Sequence, residues 1–386
     1  MANNDEIEDE LDVIPQDQQE NESDLVDETI AFKDAVVMNA DWTVETLNGQ
    51  VGKGNIDLEP SFQRRAVWGN VRQSRLIESI IAGMPIPNIV LAENKKHRGK
   101  FIVIDGKQRL LGIRNFMTDS FVLSGLDIRK DLNGKKYSGL PAEDKEYFDN
   151  NTIRSTVIKN WSDEKFLFAI FYRLNSGSLQ LSPQELRRAL IGGRLLDAIE
   201  QYVVTSESFH AIFGNKLDPR MRDSELVLRF IAFDKNYQNY QGNLRKFFDE
   251  TAEQYEKNWD ADEADLKERF ARLDLALNAT KQIFKENALK KWANGKFERR
   301  INRAVFDCMT RYFAEQQVAD AAIANADAVV KAFQSLCDSS EPFRNAIERS
   351  TKDVKTTKTR LDEWGNMLAG SLGATFDEAS TAIVIE

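Results

Sequence analysis

Histidine and cysteine are almost missing from this chain: each occurs twice in 386 residues. Cys308 and Cys337 stand apart in helical-looking sequence, so neither a disulfide framework nor a thiolate metal site is expected; both read as small buried hydrophobes in a reducing compartment. His97 lies among lysines and an arginine and His210 in an ordinary helical stretch, which excludes a centre that needs a histidine base beside clustered metal ligands. No apolar run reaches membrane-spanning length, and the start of the chain is acidic where a signal peptide would be basic, so the expected location is cytoplasmic. Basic residues are absent from the first stretch altogether: Met1–Ile30 holds 12 acids and no Lys or Arg.

That last absence distorts the net charge of -10. Without Met1–Ile30 the chain carries 52 basic against 50 acidic residues, and Ser61–Lys130 alone carries 13 against 5. An acidic, disordered tail is therefore expected ahead of a basic segment, either as a plain solubiliser or as a mimic of nucleic acid that shields the basic surface.

What is present is a folded chain with 42% apolar residues and 23 phenylalanines. The most informative stretch is Phe101–Ile113. An apolar run, Phe101-Ile102-Val103-Ile104, stops at Asp105-Gly106, and from Lys107 onward Leu110, Leu111, Ile113 and Phe116 recur at helical spacing, which predicts a strand, a turn and a helix. Asp105, Gly106, Lys107, Gln108 and Arg109 thus gather at a helix start, where free N–H groups favour anions and two cations add charge. Such residues suit a phosphate. The structural alternative is that Asp105 bonds the N–H groups of its own turn while Arg109 pairs with a carboxylate such as Glu185.

Around this junction the pattern predicts a short helix over Trp42–Leu47 broken by Gly49, Gly52 and Gly54, a strand at Ile56–Leu58, an amphipathic helix over Val71–Ala82, and strands at Asn88–Ala92, Lys100–Ile104 and Thr152–Ile158. A long helix is expected over Asp163–Leu174, and Ser182 with Glu185 reads as a capping box with Pro183 at the first helical position. From about Gly193 to Leu368 the composition turns helical, with Lys352–Arg360 read as a basic loop that could touch phosphate backbones. The expected division is a tail over 1–30, an α+β domain over 31–195, a helical domain over 196–370 and a tail over 371–386.

Four segments in order carry a family resemblance: Phe62-Gln63-Arg64-Arg65-Ala66-Val67-Trp68; Gly83-Met84-Pro85-Ile86-Pro87; Asp105-Gly106-Lys107-Gln108-Arg109; and Arg173-Leu174-Asn175-Ser176-Gly177 running on to Glu185. Together they resemble the N-terminal domain of GmrSD-type restriction endonucleases, over roughly Asp41 to Leu196. The resemblance implies an α+β fold similar to ParB and sulfiredoxin, followed here by a mostly α-helical domain. It also implies nucleotide binding, and in several members hydrolysis, in a prokaryotic defence system against foreign or modified DNA. Carried over, Asp105, Gln108 and Arg109 would be the catalytic set, with Gln63, Arg64, Gly106, Lys107 and Asn175 binding the nucleotide and Asp105 also holding Mg²⁺. The expected partners are a nucleoside triphosphate, DNA and a separate nuclease subunit, because no His-Asn-His nuclease centre can be assembled from this chain. Lys107 is a departure: the family has an amide there. Trp68 reads as a packing residue rather than a base-stacking one. Glu143-Asp144-Lys145 is a polar helix start rather than a nuclease centre. The alternatives from other classes are a ParB-like DNA-binding module without turnover and a nuclease that uses the Asp105 pocket.

Overall fold

The computed structural model describes residues 35–58, 68–95, 97–161, 166–167, 170, 182–218, 220–349 and 353–385. Strand β1 (Val36–Thr43) leads directly into α1 (Val44–Gly52), whose N-cap Thr43 accepts a hydrogen bond from the Thr46 N–H. The helix expected over Trp42–Leu47 is therefore corrected at both ends. Trp42 belongs to a strand, and the helix runs through Gly49 to Gly52, because Val44, Leu47 and Val51 bury one face that outweighs the helix-weakening glycines.

Next come β2 (Ile56–Asp57), α2 (Asn70–Ile81), β3 (Ile89–Glu93), β4 (Phe101–Asp105), α3 (Lys107–Met117), α4 (Ala142–Asn150), β5 (Thr152–Lys159) and α5 (Pro183–Leu190). The five strands form one mixed sheet in the order β1-β5-β3-β4-β2. β1 runs antiparallel to β5, from Val36 opposite Lys159 to Thr43 opposite Thr152, and β3 lies parallel to β5 and antiparallel to β4. The central strand β3 is apolar at four successive positions because both its faces are covered. On one face Leu91, Val103 and Ile153 pack with Ile77, Ile80, Leu110, Ile113 and Phe116 of α2 and α3. On the other, Val90, Ala92, Ile102, Ile104 and Ile158 pack with Trp161, Phe166 and Leu167. The helix expected over Asp163–Leu174 falls largely outside the described residues.

The chain divides into two compact units, the first ending at Leu190 and the second beginning at Ile191. The second unit is helical, as its composition predicts. Its helices are α6 (Arg194–Thr205), α7 (Glu207–Phe213), α8 (Arg222–Asn236), α9 (Leu244–Lys257), α10 (Trp259–Phe284), α11 (Arg303–Phe313), α12 (Gln316–Ala324), α13 (Ala326–Ser339), α14 (Glu341–Glu348) and α15 (Val354–Leu372). Hairpin β6 (Lys290–Ala293) with β7 (Lys296–Ile301) interrupts them, and hairpin β8 (Thr375–Asp377) with β9 (Ala382–Val384) forms within the stretch expected as a terminal tail. The basic loop expected over Lys352–Arg360 is corrected: from Val354 it is the start of α15.

The reason lies in the core of this unit. Arg360 is buried and donates from Nη2 to Asp307 Oδ2 at 2.6 Å, while Arg229 grips the same carboxylate through Nε and Nη2 at 2.6 and 2.7 Å. Burial alone would raise the Asp307 carboxyl, but the two guanidiniums win and hold it below the ordinary range. Cys308 and Cys337 are both buried free thiols, and burial pushes the latter up to about 12.

Candidate functional site

The junction between β4 and α3 is where the sequence-selected residues meet. The apolar β4 ends at Asp105, and Gly106 turns the chain with φ of 100°, a left-handed conformation that serves as the helix N-cap. Glycine is needed for space as well. A Cβ at this position would lie 3.0 Å from Ile89 Cγ1 and 3.2 Å from Arg109 Nη2. No side chain caps the helix, and its first turn holds no acid, so its leading N–H groups keep their partial positive charge.

Arg109 returns over the turn. Its Nη2 donates to Asp105 Oδ2 at 2.6 Å and to the Asn88 carbonyl at 2.9 Å. The side chain is only 8% exposed, and its Nε–H has no acceptor among the described residues. Lys107 is also buried, with Nζ 3.7 Å from Glu185 Oε1, so its charge is balanced. Glu185 thus pairs with Lys107, while Arg109 takes Asp105, four residues earlier.

Gln108 ties the junction to its surroundings. Its Oε1 accepts from the Trp68 N–H at 3.3 Å; the Trp68 carbonyl accepts from Gln73 Nε2 at 2.8 Å; and Gln73 Oε1 accepts from Asn115 Nδ2 at 3.1 Å. This chain of amides locks α2 to α3. Trp68 is half-buried against the core of the first unit, with the Arg72 guanidinium 4.8 Å above its ring, in keeping with a packing role. The capping box is present as well: the Glu185 N–H donates to Ser182 Oγ at 3.0 Å and the Ser182 N–H donates to Glu185 Oε2 at 2.7 Å. Gln63, Arg64 and Asn175 lie outside the described residues.

Beside Asp105 is a cleft of about 440 Å³, lined by Val37, Pro87, Val90, Ile158 and Ile170 with Asn88 and Thr156 as further polar groups. Mostly apolar walls with a few polar groups, at this volume, are the usual make-up of a small-molecule site. Among the described residues no three His, Cys, Asp or Glu converge to hold a metal. Asp105 therefore offers a single carboxylate, fewer donors than an all-protein metal site supplies.

Sequence reasoning did not select Gln73 or Asn88. Gln73 sits on an amphipathic helix with no local sign of its role, and Asn88 holds Arg109 through its backbone carbonyl, which no side-chain pattern reveals. The two rejected centres are structural. His210 Nε2 sits 2.8 Å from the Val203 carbonyl, and Asp144 holds both Nη atoms of Arg129 at 2.7 and 2.8 Å.

Residues 44–192 match the family model of the GmrSD restriction endonuclease N-terminal domain. No curated protein and no solved structure matches the chain. Among the described residues no helix is long and apolar enough to cross a membrane.

Proposed function

We propose, from the premise that residues 44–192 are the N-terminal domain of a GmrSD restriction endonuclease, that this protein is the nucleotide-binding component of a DNA restriction system. On this reading a nucleoside triphosphate occupies the cleft beside Asp105 and its hydrolysis is read out by DNA and a separate nuclease subunit. The observation that carries it is the Asp105–Arg109 pair at an uncapped helix start, with Asp105 lining a cleft of ligand size. The Arg109 guanidinium supplies the phosphate contact, the leading amides of α3 add partial positive charge, and Gly106 keeps the turn low enough for close approach. Asp105 would hold Mg²⁺, whose chemistry there would be to neutralise phosphate charge. Gln63, Arg64 and Asn175 belong to the same proposed site through their motifs.

Titration calorimetry with a non-hydrolysable triphosphate and Mg²⁺ tests this. Loss of a charge-assisted contact is worth about 1.5–3 kcal/mol, so Arg109→Ala should weaken binding by roughly ten- to a hundredfold. Unchanged affinity in Arg109→Ala and Arg64→Ala together would refute the assignment.

A further inference from the structure

The second unit contains a hairpin segment whose charge runs against that of the unit as a whole. Residues 191–386 carry 28 Lys and Arg against 32 Asp and Glu, yet 281–303 alone carries 8 against 2. This segment ends α10 and forms hairpin β6–β7. We propose that the hairpin is a contact surface for the phosphate backbone of duplex DNA, a proposal that rests on DNA being the partner named above.

Three features carry it. First, the ribbon is held rigid. Its two-residue turn, Asn294-Gly295, has φ of 52° and 75°, the doubly left-handed geometry whose twist matches paired strands. Trp292 and Phe297 pack edge to face at 5.0 Å across the strands, Phe297 meets Phe284 of α10, and Trp292 Nε1 donates to both oxygens of Asp338 at 3.0 Å. Second, three acids beside the ribbon are engaged. Glu298 and Glu348 both hold Lys291, at 2.8 and 3.0 Å, and Asp338 holds the tryptophan. Third, the outer cations are not matched. Lys296, Arg299 and Arg300 are exposed, and none has an acidic partner among the described residues. Unbalanced exposed cations repel one another and release counterions when they meet a polyanion.

Spacing agrees with a duplex. Lys296 and Arg300 fall on one face of β7, four residues and so about 13 Å apart, close to the ~12 Å width of a major groove. A two-stranded ribbon is also one of the elements that this groove admits. Arg299 lies on the other face with Phe297, where it is exposed and adds to the local positive potential rather than to this row. The proposed contact is to the phosphate backbone, where cations supply affinity and position without sequence information.

The test uses the full chain and a fluorescein-labelled random duplex, with anisotropy followed over a salt series. The triple variant Lys296→Gln/Arg299→Gln/Arg300→Gln is compared with Lys216→Gln/Lys246→Gln/Lys267→Gln, which removes the same charge from three exposed helix or loop positions. Losing the phosphate contacts of Lys296 and Arg300 should lower the slope of log K against log salt by about 1.8 or more and weaken binding at least roughly tenfold at low salt. The control should leave the slope nearly as in the wild type. Equal losses in both triples would mean that only net charge matters, and a hairpin triple that binds as the wild type does would remove the hairpin while leaving DNA as a partner. A wild type that binds no duplex, or prefers single strands or duplex RNA, would overturn the DNA reading itself. All three hairpin positions are exposed, so an unchanged melting temperature is the expected check on folding.

Discussion

Gly106 offers the sharpest test of how the β4–α3 junction is built. Alanine there meets two separate penalties. The first is the left-handed backbone, which costs an L-residue on the order of 1–2 kcal/mol. The second is contact: a Cβ would sit 3.0 and 3.3 Å from the Ile89 side chain, which is fully buried, and 3.2 Å from Arg109 Nη2. Ile89 cannot retreat into a filled core, and overpacking of this kind typically costs about 1–3 kcal/mol more. Gly54→Ala separates the two penalties, because Gly54 has φ of 66° and nothing within 4 Å of its Cβ position. At about 2–4 °C per kcal/mol for a unit of this size, Gly54→Ala should lower the melting temperature by roughly 2–8 °C and Gly106→Ala by roughly 4–20 °C. The second variant should also disturb the Arg109–Asp105 pair and weaken triphosphate binding, which the first leaves alone. Equal melting shifts for the two alanines would refute the packing argument, since Gly106, at φ of 100° against 66°, carries at least as much strain as Gly54 before any contact is added.

Further outcomes follow from the same structure. Glu78 is buried and accepts the N–H groups of Ile128 and Arg129 at 2.7 Å each and that of Asp127 at 3.3 Å; Glu78→Gln should cost about 1–3 kcal/mol in denaturant unfolding. Burial opposes the charge of Glu78, but these bonds lower its carboxyl below the ordinary value, so its contribution is complete above the unfolded pKa of about 4.3 and fades as pH falls through the folded one. Asp307→Asn strands Arg229 and Arg360 in the core and should destabilise the second unit by about 3–5 kcal/mol, with a circular-dichroism melt as the readout. Ser182→Ala removes the cap of α5 and should cost about 0.5–2 kcal/mol in the first unit, by the same melt.

Where pattern and structure agree, the signal is local. The stop from an apolar run to Asp105-Gly106 marks strand and helix within a few residues, and Ser182 with Glu185 announces its own cap. Where they differ, a distant partner decides. Val36–Thr43 pairs with a strand more than a hundred residues away, so nothing nearby marks it as extended. The basic, Thr-rich start of α15 looks like a loop until Asp307, fifty-three residues earlier, is known to hold Arg360. At the site itself the i,i+4 spacing of Asp105 and Arg109 is visible in the sequence, whereas the choice of Glu185 as partner of Lys107 depends on how α5 lies against β4.

That pairing has a consequence for ligand charge. Asp105, Lys107, Arg109 and Glu185 sum to zero, so the described cluster offers a metal-free triphosphate no net attraction beyond N–H dipoles. On the proposed reading, affinity then depends on Mg²⁺ arriving with the phosphates and on Asp105 receiving it. Asp105→Asn should therefore act with opposite signs on the two forms of the ligand. It leaves the cluster at +1, which should strengthen binding of the metal-free triphosphate measured in EDTA, and it removes the carboxylate for the metal, which should weaken binding of the Mg²⁺ complex. One unit of charge a few Å away is worth on the order of 1–3 kcal/mol, so each shift should reach about tenfold. Calorimetry of the same variant in EDTA and in Mg²⁺ reads both. Shifts of the same sign in the two buffers would mean that Asp105 serves to hold Arg109 in place and never meets the metal.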